Sequence, residues 1–152
     1  MPTRRQMLER SAGLATMLAG LGLLPAAAQA AWPAAAFEAK GLAEALKALG
    51  HSAPVESRDV VLGVTEIAEN GAAVPVSCGS TLPGVKRLLL LVEKNPNLLC
   101  ALFEPSEALE PVISTRVKLA ETSLVYAVAV MADNKVLYAR KEVKVVQGGC
   151  GV

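Results

Sequence analysis

The chain has 152 residues, of which 53% are apolar, only 3% are aromatic and 19% are charged, and its formal net charge is +1. The balanced charge excludes the strongly basic surface of a nucleic-acid-binding protein, and the apolar content excludes a disordered chain. One His and three Cys leave little material for a multi-His metal site or a conventional catalytic triad. We therefore expect no metal and no catalytic residue.

Residues 1–30 have the pattern of an export signal. Arg4 and Arg5 precede a weakly apolar run over 12–24, and Ala28-Gln29-Ala30 is the small-x-small pattern that signal peptidases accept. The run of about thirteen residues is shorter than the roughly 20 that a membrane-spanning helix needs. The paired arginines favour a twin-arginine signal. The sequence thus predicts cleavage near Ala30, a periplasmic protein and no membrane anchor.

The rest of the chain is expected to form one sandwich domain over 31–146, followed by an arm over 147–152. Apolar residues at near-helical spacing predict one helix from Ala34 to Leu49, which Gly50 ends. Within that helix, Gly41 costs about 1 kcal/mol relative to Ala.

Beyond the helix, the apolar periodicity shortens to that of β-strands, and turn signals such as Asn70-Gly71 separate the segments. The seven candidates are Val55–Ala68, Ala72–Cys78, Val85–Glu93, Leu98–Phe103, Thr115–Ala120, Leu124–Met131 and Val136–Val146. Leu88–Val92 is continuously apolar, as in a strand covered on both faces. This pattern predicts an all-β fold, an immunoglobulin-like two-sheet sandwich with a short N-terminal helix.

The C-terminal segment Gly148-Gly149-Cys150-Gly151-Val152 carries the group with most chemical potential. Glycine leaves the backbone free to rotate, and six residues past Val146 reach about 20 Å at most. A cysteine thiolate is a nucleophile, but no base or oxyanion hole accompanies Cys150. The segment fits a carrier arm that enters another protein's active site. A frayed terminus, or a cysteine that pairs with another chain, would leave the same local sequence.

Four segments in register resemble the SoxY family, whose members are carrier subunits of the bacterial thiosulfate-oxidising multienzyme system. The segments are Glu69–Val76, Lys94-Asn95-Pro96, Thr115–Lys118 and Gly148–Gly151. The resemblance implies an immunoglobulin-like sandwich that pairs with a SoxZ-like subunit. It implies that Cys150 carries thiosulfate-derived sulfur as a covalent adduct, without another cofactor. The flexible setting of that thiol would be Gly148, Gly149 and Gly151.

The resemblance also implies further partners. A c-type cytochrome complex would attach the substrate oxidatively, and a hydrolase and, in some organisms, a sulfane dehydrogenase would then process it. The chain itself would be a carrier and not an enzyme. From the residues alone, two other classes stay open: an immunoglobulin-like binding module in which Cys150 forms intermolecular disulfides, and a thiol-dependent redox enzyme. The second is weakened because the chain has no Cys-x-x-Cys pattern.

Cys78 and Cys100 stand where the family normally has no cysteine. Both fall on predicted strands, so they either bridge each other or remain unpaired as small buried hydrophobic residues. A bridge that closes a loop of about 22 residues would stabilise the fold by roughly 3 kcal/mol. Pairing of either with Cys150 would remove the carrier thiol, except in a resting or regulatory state.

Three polar features have ordinary interpretations. His51 follows the predicted helix end and is expected to be a solvated loop residue rather than a ligand or base. Arg116 and Lys118 alternate on a predicted strand and would face either water or a partner. Asn70-Gly71 is first of all a hairpin turn.

Overall fold

The computed structural model describes residues 3–4, 6–7, 33–106 and 108–148. The chain divides into two compact units, Met1–Trp32 and Pro33–Val152. The apolar run and the cleavage motif of the predicted signal peptide lie outside the described residues. In the described part of the chain, no helix has the length and apolarity that a membrane crossing requires.

Two short helices open the second unit: α1 spans Ala34–Glu38 and α2 spans Leu42–Ala48. The prediction of one helix from Ala34 to Leu49 is wrong, because the backbone is extended at Gly41, which is the N-cap of α2 (φ −149°, ψ 155°). The break falls at the residue with the weakest helix propensity in this stretch. Gly50 follows α2 with φ 77°, the left-handed conformation that is common after helix ends.

Nine strands over the described residues form two sheets. The strands are β1 Val55–Glu56, β2 Val60–Val64, β3 Ile67–Asn70, β4 Val74–Ser80, β5 Val85–Val92, β6 Leu99–Phe103, β7 Val112–Val117, β8 Ser123–Met131 and β9 Val136–Gln147. The larger sheet has the order β1-β9-β8-β5-β6, and β3 also pairs with β9. The smaller sheet has the order β2-β4-β7. β1 and β3 run parallel to β9, and the other ladders are antiparallel.

The single strand predicted over Val55–Ala68 is three strands in the structure. Between β1 and β2, the Ser57 hydroxyl donates to Asp59 Oδ2 at 2.9 Å and accepts from the Asp59 N–H at 3.1 Å, which closes a turn. Between β2 and β3, the Thr65 hydroxyl donates to the Ile67 carbonyl at 2.8 Å. These side-chain bonds to the backbone compete with the strand ladder and divide it.

The two central strands of the larger sheet, β5 and β8, are buried on both faces over most of their length. On one face Leu89 and Leu91 pack with Leu46 of α2. On the other face Leu90 and Val92 pack with residues of the smaller sheet, such as Val76. Each residue of Leu88–Val92 is 0% exposed, which confirms the prediction of a strand covered on both sides. The predicted two-sheet all-β sandwich is confirmed as well.

Candidate functional site

The last strand brings the C-terminal arm to one end of the sandwich. Because β3 runs parallel to β9, Asn70 is paired with Gln147, the last residue of β9. Three loops lie at the same end: 71–73 between β3 and β4, 93–98 between β5 and β6, and 118–122 between β7 and β8. We call this end, with Gln147 and Gly148, the arm end.

Asn95 joins two of the loops at the arm end. Its Nδ2 donates to the Lys118 carbonyl at 2.6 Å, and its Oδ1 accepts from the Ala120 N–H at 3.1 Å. One side-chain amide therefore satisfies a backbone acceptor and a backbone donor of the same short segment. This two-point attachment holds the 118–120 backbone against the β5–β6 loop.

Gly71 links the same segment to the base of the arm. Its N–H donates to the Gln147 carbonyl at 2.7 Å, and its carbonyl accepts from the Leu119 N–H at 2.8 Å. Asn70 shapes this connection, since its Oδ1 accepts from the Ala72 N–H at 2.8 Å. The prediction of a hairpin turn at Asn70-Gly71 is wrong, because β3 and β4 belong to different sheets.

Gly148 begins the arm and lies directly against the β7–β8 loop. A Cβ at this position would collide with the carbonyl oxygen of Ala120. Glycine is therefore required here by close backbone approach. The sequence predicts only a flexible role for this residue, and the structure adds a packing requirement.

The predicted sulfur-carrying residue, Cys150, lies outside the described residues, as do Gly149 and Gly151. Cys78 and Cys100 are both free thiols, so the bridge that the sequence left open is not formed. Cys78 lies on β4 of the smaller sheet and Cys100 on β6 of the larger sheet, and they pack into different core clusters. The alternative of two unpaired thiols among apolar residues describes them correctly.

Both sandwich thiols are poor nucleophiles. Burial raises the pKa of Cys78 to about 11. Burial also raises the pKa of Cys100, which the nearby Asn95 side chain counteracts in part, with Nδ2 3.6 Å from Sγ. Thiols in this condition are protonated at neutral pH, whereas nucleophilic attack needs the thiolate. Neither thiol is therefore suited to accept sulfur in place of a terminal cysteine.

The polar residues singled out from the sequence have mixed outcomes. His51 is not a solvated loop residue: its ring nitrogens are shielded from water and have no hydrogen-bond partner within the described residues. Burial, followed by the charges of Arg87 and Lys86, lowers the pKa of His51. Arg116 and Lys118 are both exposed. Within 33–106 and 108–148, no group of three or more His, Cys, Asp or Glu side chains is placed to hold a metal ion.

The sequence indicates the residues of the arm end only as turn signals or as parts of family-like segments. In the structure, three of the four family-like segments supply backbone or side-chain groups to the base of the fourth. Asn70 and Gly71 come from the first, Asn95 from the second and Lys118 from the third. Their order along the chain gave a signal for the family, but only the strand register brings them together.

An immunoglobulin-like sandwich whose last strand is followed in sequence by glycines and a cysteine defines a class of small β domains that carry a thiol beyond the last strand. The family model described as "Sulfur oxidation protein SoxY" matches residues 45–150, and this chain belongs to the SoxY family. A similar solved structure is that of the sulfur carrier protein SoxY from Chlorobium limicola f thiosulfatophilum, at 32% identity and a TM-score of 0.55. That match covers 60% of this chain and 83% of the other.

A second similar structure is a superoxide reductase (neelaredoxin) from Ignicoccus hospitalis, at 20% identity and a TM-score of 0.50. It covers 58% of this chain and 80% of the other, and this likeness concerns the fold alone. No curated protein matches the chain. Family membership and the Chlorobium match together support a carrier role in sulfur oxidation.

Proposed function

We propose that this chain is a periplasmic carrier that holds thiosulfate-derived sulfur on Cys150 and presents it to partner enzymes for oxidation. The observation that carries the proposal is the convergence of the family-like segments on Gln147 and Gly148, the residues from which the terminal thiol departs. At the arm end, separate loops hold the residues from which the arm starts, and the thiol lies further along the chain. This arrangement suits an arm that is anchored at its start and reaches outward. In this proposal the chain is not itself an enzyme.

The chemistry of loading is oxidative. The sulfur of the Cys150 thiol and the outer sulfur of thiosulfate form a disulfide bond, and the thiol proton and two electrons leave. The electrons go to the c-type cytochrome complex. Hydrolysis of the terminal sulfonate by the partner hydrolase then takes up water, releases sulfate and leaves a persulfide on Cys150. A sulfane dehydrogenase would oxidise the remaining sulfur where that enzyme is present.

The two thiols of the sandwich do not compete with Cys150 for sulfur in the proposed cycle. Cys78 is 2% exposed and its thiol is protonated, and burial also raises the pKa of Cys100. Sulfur transfer or disulfide exchange needs an accessible thiolate. In the proposed cycle, sulfur therefore stays on the terminal thiol, and no cofactor is required besides the adduct itself.

The remaining elements of the proposal rest on the sequence pattern of the leader and on family membership. The signal over 1–30 would export the chain by the twin-arginine route, the sandwich would run from 31 to Gln147, the last residue of β9, and 148–152 would form the arm. A SoxZ-like subunit would be the constant partner, and the cytochrome, hydrolase and dehydrogenase would bind in turn. Export of an already folded pair is compatible with a single signal of this type.

The test is the mass of the protein purified from cells growing on thiosulfate, measured with and without a reductant. We expect a reductant-labile sulfur adduct on the C-terminal peptide. C150S should fold normally, carry no adduct and fail to restore thiosulfate oxidation in a deletion strain. C100A is the matched control, because it removes a thiol of the sandwich, and it should retain the adduct and the activity.

Two results would contradict the carrier proposal. One is an unmodified terminal thiol in cells that are actively oxidising thiosulfate. The other is normal oxidation by the C150S strain. A reductant-labile dimer linked through Cys150, without a sulfur adduct, would instead favour the immunoglobulin-like binding module.

A further inference from the structure

We infer that Gly148 is a positioning residue, whose contact with the Ala120 carbonyl sets the direction in which the carrier arm leaves the sandwich. The inference rests on the proposed carrier function and deepens it. It assigns to this glycine a fixed contact at the base of the arm, in addition to any freedom of the residues beyond it.

Glycine is needed at position 148 because there is no room for a side chain, and not because of the backbone conformation. Among the described glycines, positive φ angles occur at Gly50 and Gly84 and not at Gly148. A side chain is therefore not excluded at Gly148 by backbone conformation. It is excluded because a Cβ would overlap the Ala120 carbonyl oxygen, which is a backbone atom and cannot rotate away as the end of a flexible side chain could.

The Ala120 carbonyl is held in place from several sides. The N–H of the same residue donates to Asn95 Oδ1 at 3.1 Å, and the Lys118 carbonyl accepts from Asn95 Nδ2 at 2.6 Å. Between them, the Leu119 N–H donates to the Gly71 carbonyl at 2.8 Å, and the Leu119 side chain is 0% exposed. Moving the carbonyl to make room for a Cβ would disturb these bonds and the buried leucine.

The other side of Gly148 is fixed as well. The carbonyl of Gln147 accepts from the Gly71 N–H at 2.7 Å, so the residue before the glycine is anchored to the same loop. A Cβ would therefore displace the chain from Gly148 onward. Two residues reach about 7 Å, so a rotation of about 30° at this point would move the thiol of Cys150 by roughly 3–4 Å.

The test compares two reactions of the full chain in complex with its partner subunit. In G148A, the rate at which a small disulfide reagent, 5,5′-dithiobis(2-nitrobenzoate), labels Cys150 should stay within about twofold of wild type. The rate of thiosulfate-dependent cytochrome reduction should fall by about 10- to 100-fold, because misplacement of a reacting group by an ångström or more has effects of this size. The matched control is G41A, since nothing lies within 4 Å of a Cβ at Gly41. It should change neither rate.

N95A is a second variant that adds no clash and loosens the loop. We expect a smaller loss of cytochrome reduction in N95A, again with unchanged labelling. In the N95A background, G148A should lower the rate of cytochrome reduction by a smaller factor than it does in the wild-type background, because the Ala120 carbonyl can then move away. Thermal melts show which variants are folded.

Cytochrome reduction by G148A at the wild-type rate, or strictly multiplicative losses in the double variant, would overturn the inference. Its failure is separable from failure of the carrier function. The carrier function fails if the wild-type chain takes up no sulfur on Cys150, whereas the positioning role fails if the wild-type chain is loaded normally and G148A is loaded equally fast.

Discussion

The loop after β7 is anchored by a buried leucine and by bonds to two other loops, whereas the described part of the loop before β7 is bonded to the sheets only near its two ends, through Glu104 and Pro111. In the later loop, Leu119 is fully buried and the flanking backbone is bonded to Asn95 and Gly71. In the earlier loop, at the opposite end of the sandwich, Leu109 is 67% exposed and its N–H donates to the Ser106 carbonyl three residues before it at 3.0 Å.

Strand β7 therefore connects a loop that is firmly held, at the arm end, to a loop that is more loosely attached, at the opposite end. Loops that satisfy each other's polar groups form one structural unit, so a change in one member is felt by the others. A loop with local bonds and exposed side chains can change without such consequences. The proposed carrier arm departs from the fixed region, where its origin is well defined.

The largest difference is expected between two leucines of these loops. Leu119→Ala should lower the free energy of unfolding by about 3 kcal/mol, because it removes a fully buried side chain and leaves a cavity. Leu109→Ala should change it by no more than about 0.5 kcal/mol, since the side chain is mostly in water. Urea unfolding measures both, and equal effects would contradict the contrast between the loops.

A smaller difference is expected between two polar anchors. Asn95→Ala removes the amide that bonds the Lys118 carbonyl and the Ala120 N–H, which should cost about 2 kcal/mol. Glu104→Ala removes an ion pair at the start of the earlier loop, where Arg87 Nε lies 2.8 Å from Glu104 Oε1. This pair is largely exposed, so its loss should cost less than about 1 kcal/mol. Chemical denaturation of both variants tests the ranking, which fails if Glu104→Ala is the more destabilising.

Much of the fold could be predicted from local pattern. The run Leu88–Val92 indicated a strand covered on both sides, and its residues are 0% exposed. The low helix propensity of Gly41 was evident from the sequence, but it did not show that one helix ends before this residue and another begins after it. Strand β7 begins at Val112, earlier than predicted, because its pairing with β4 extends the ladder to Gly79.

The contacts at the arm end could not be predicted from local pattern. Asn95 and Ala120 are 25 residues apart in sequence, and their contact depends on the register of two sheets. Local pattern shows a turn at Asn95 without showing which backbone it binds. The pairing of Cys78 with Cys100 had the same difficulty, because placement on two strands does not tell whether the strands share a core cluster. The terminal cysteine, by contrast, was recognisable from its immediate neighbours and stays a prediction.

The smallest effect is a pH dependence that arises at the opposite end of the sandwich from the arm. Burial, with Arg87 and Lys86 nearby, lowers the pKa of His51 in the folded state below its ordinary value of 6.5. Above that value the ring is neutral in both states and contributes no pH dependence. As pH falls through 6.5 the unfolded chain binds the proton first, so stability decreases until the folded pKa is passed. His51→Phe keeps a flat aromatic ring at this position and removes the titration.

Denaturant unfolding of wild type and His51→Phe at pH 7.5 and at pH 5 measures this contribution. The wild type should lose more stability between the two pH values than the variant does, while both still label Cys150 with the small disulfide reagent at the same relative rate. This outcome would place acid sensitivity at His51 and separate it from the arm end. An identical loss of stability in the two proteins would show that His51 does not contribute a titration on unfolding in this range.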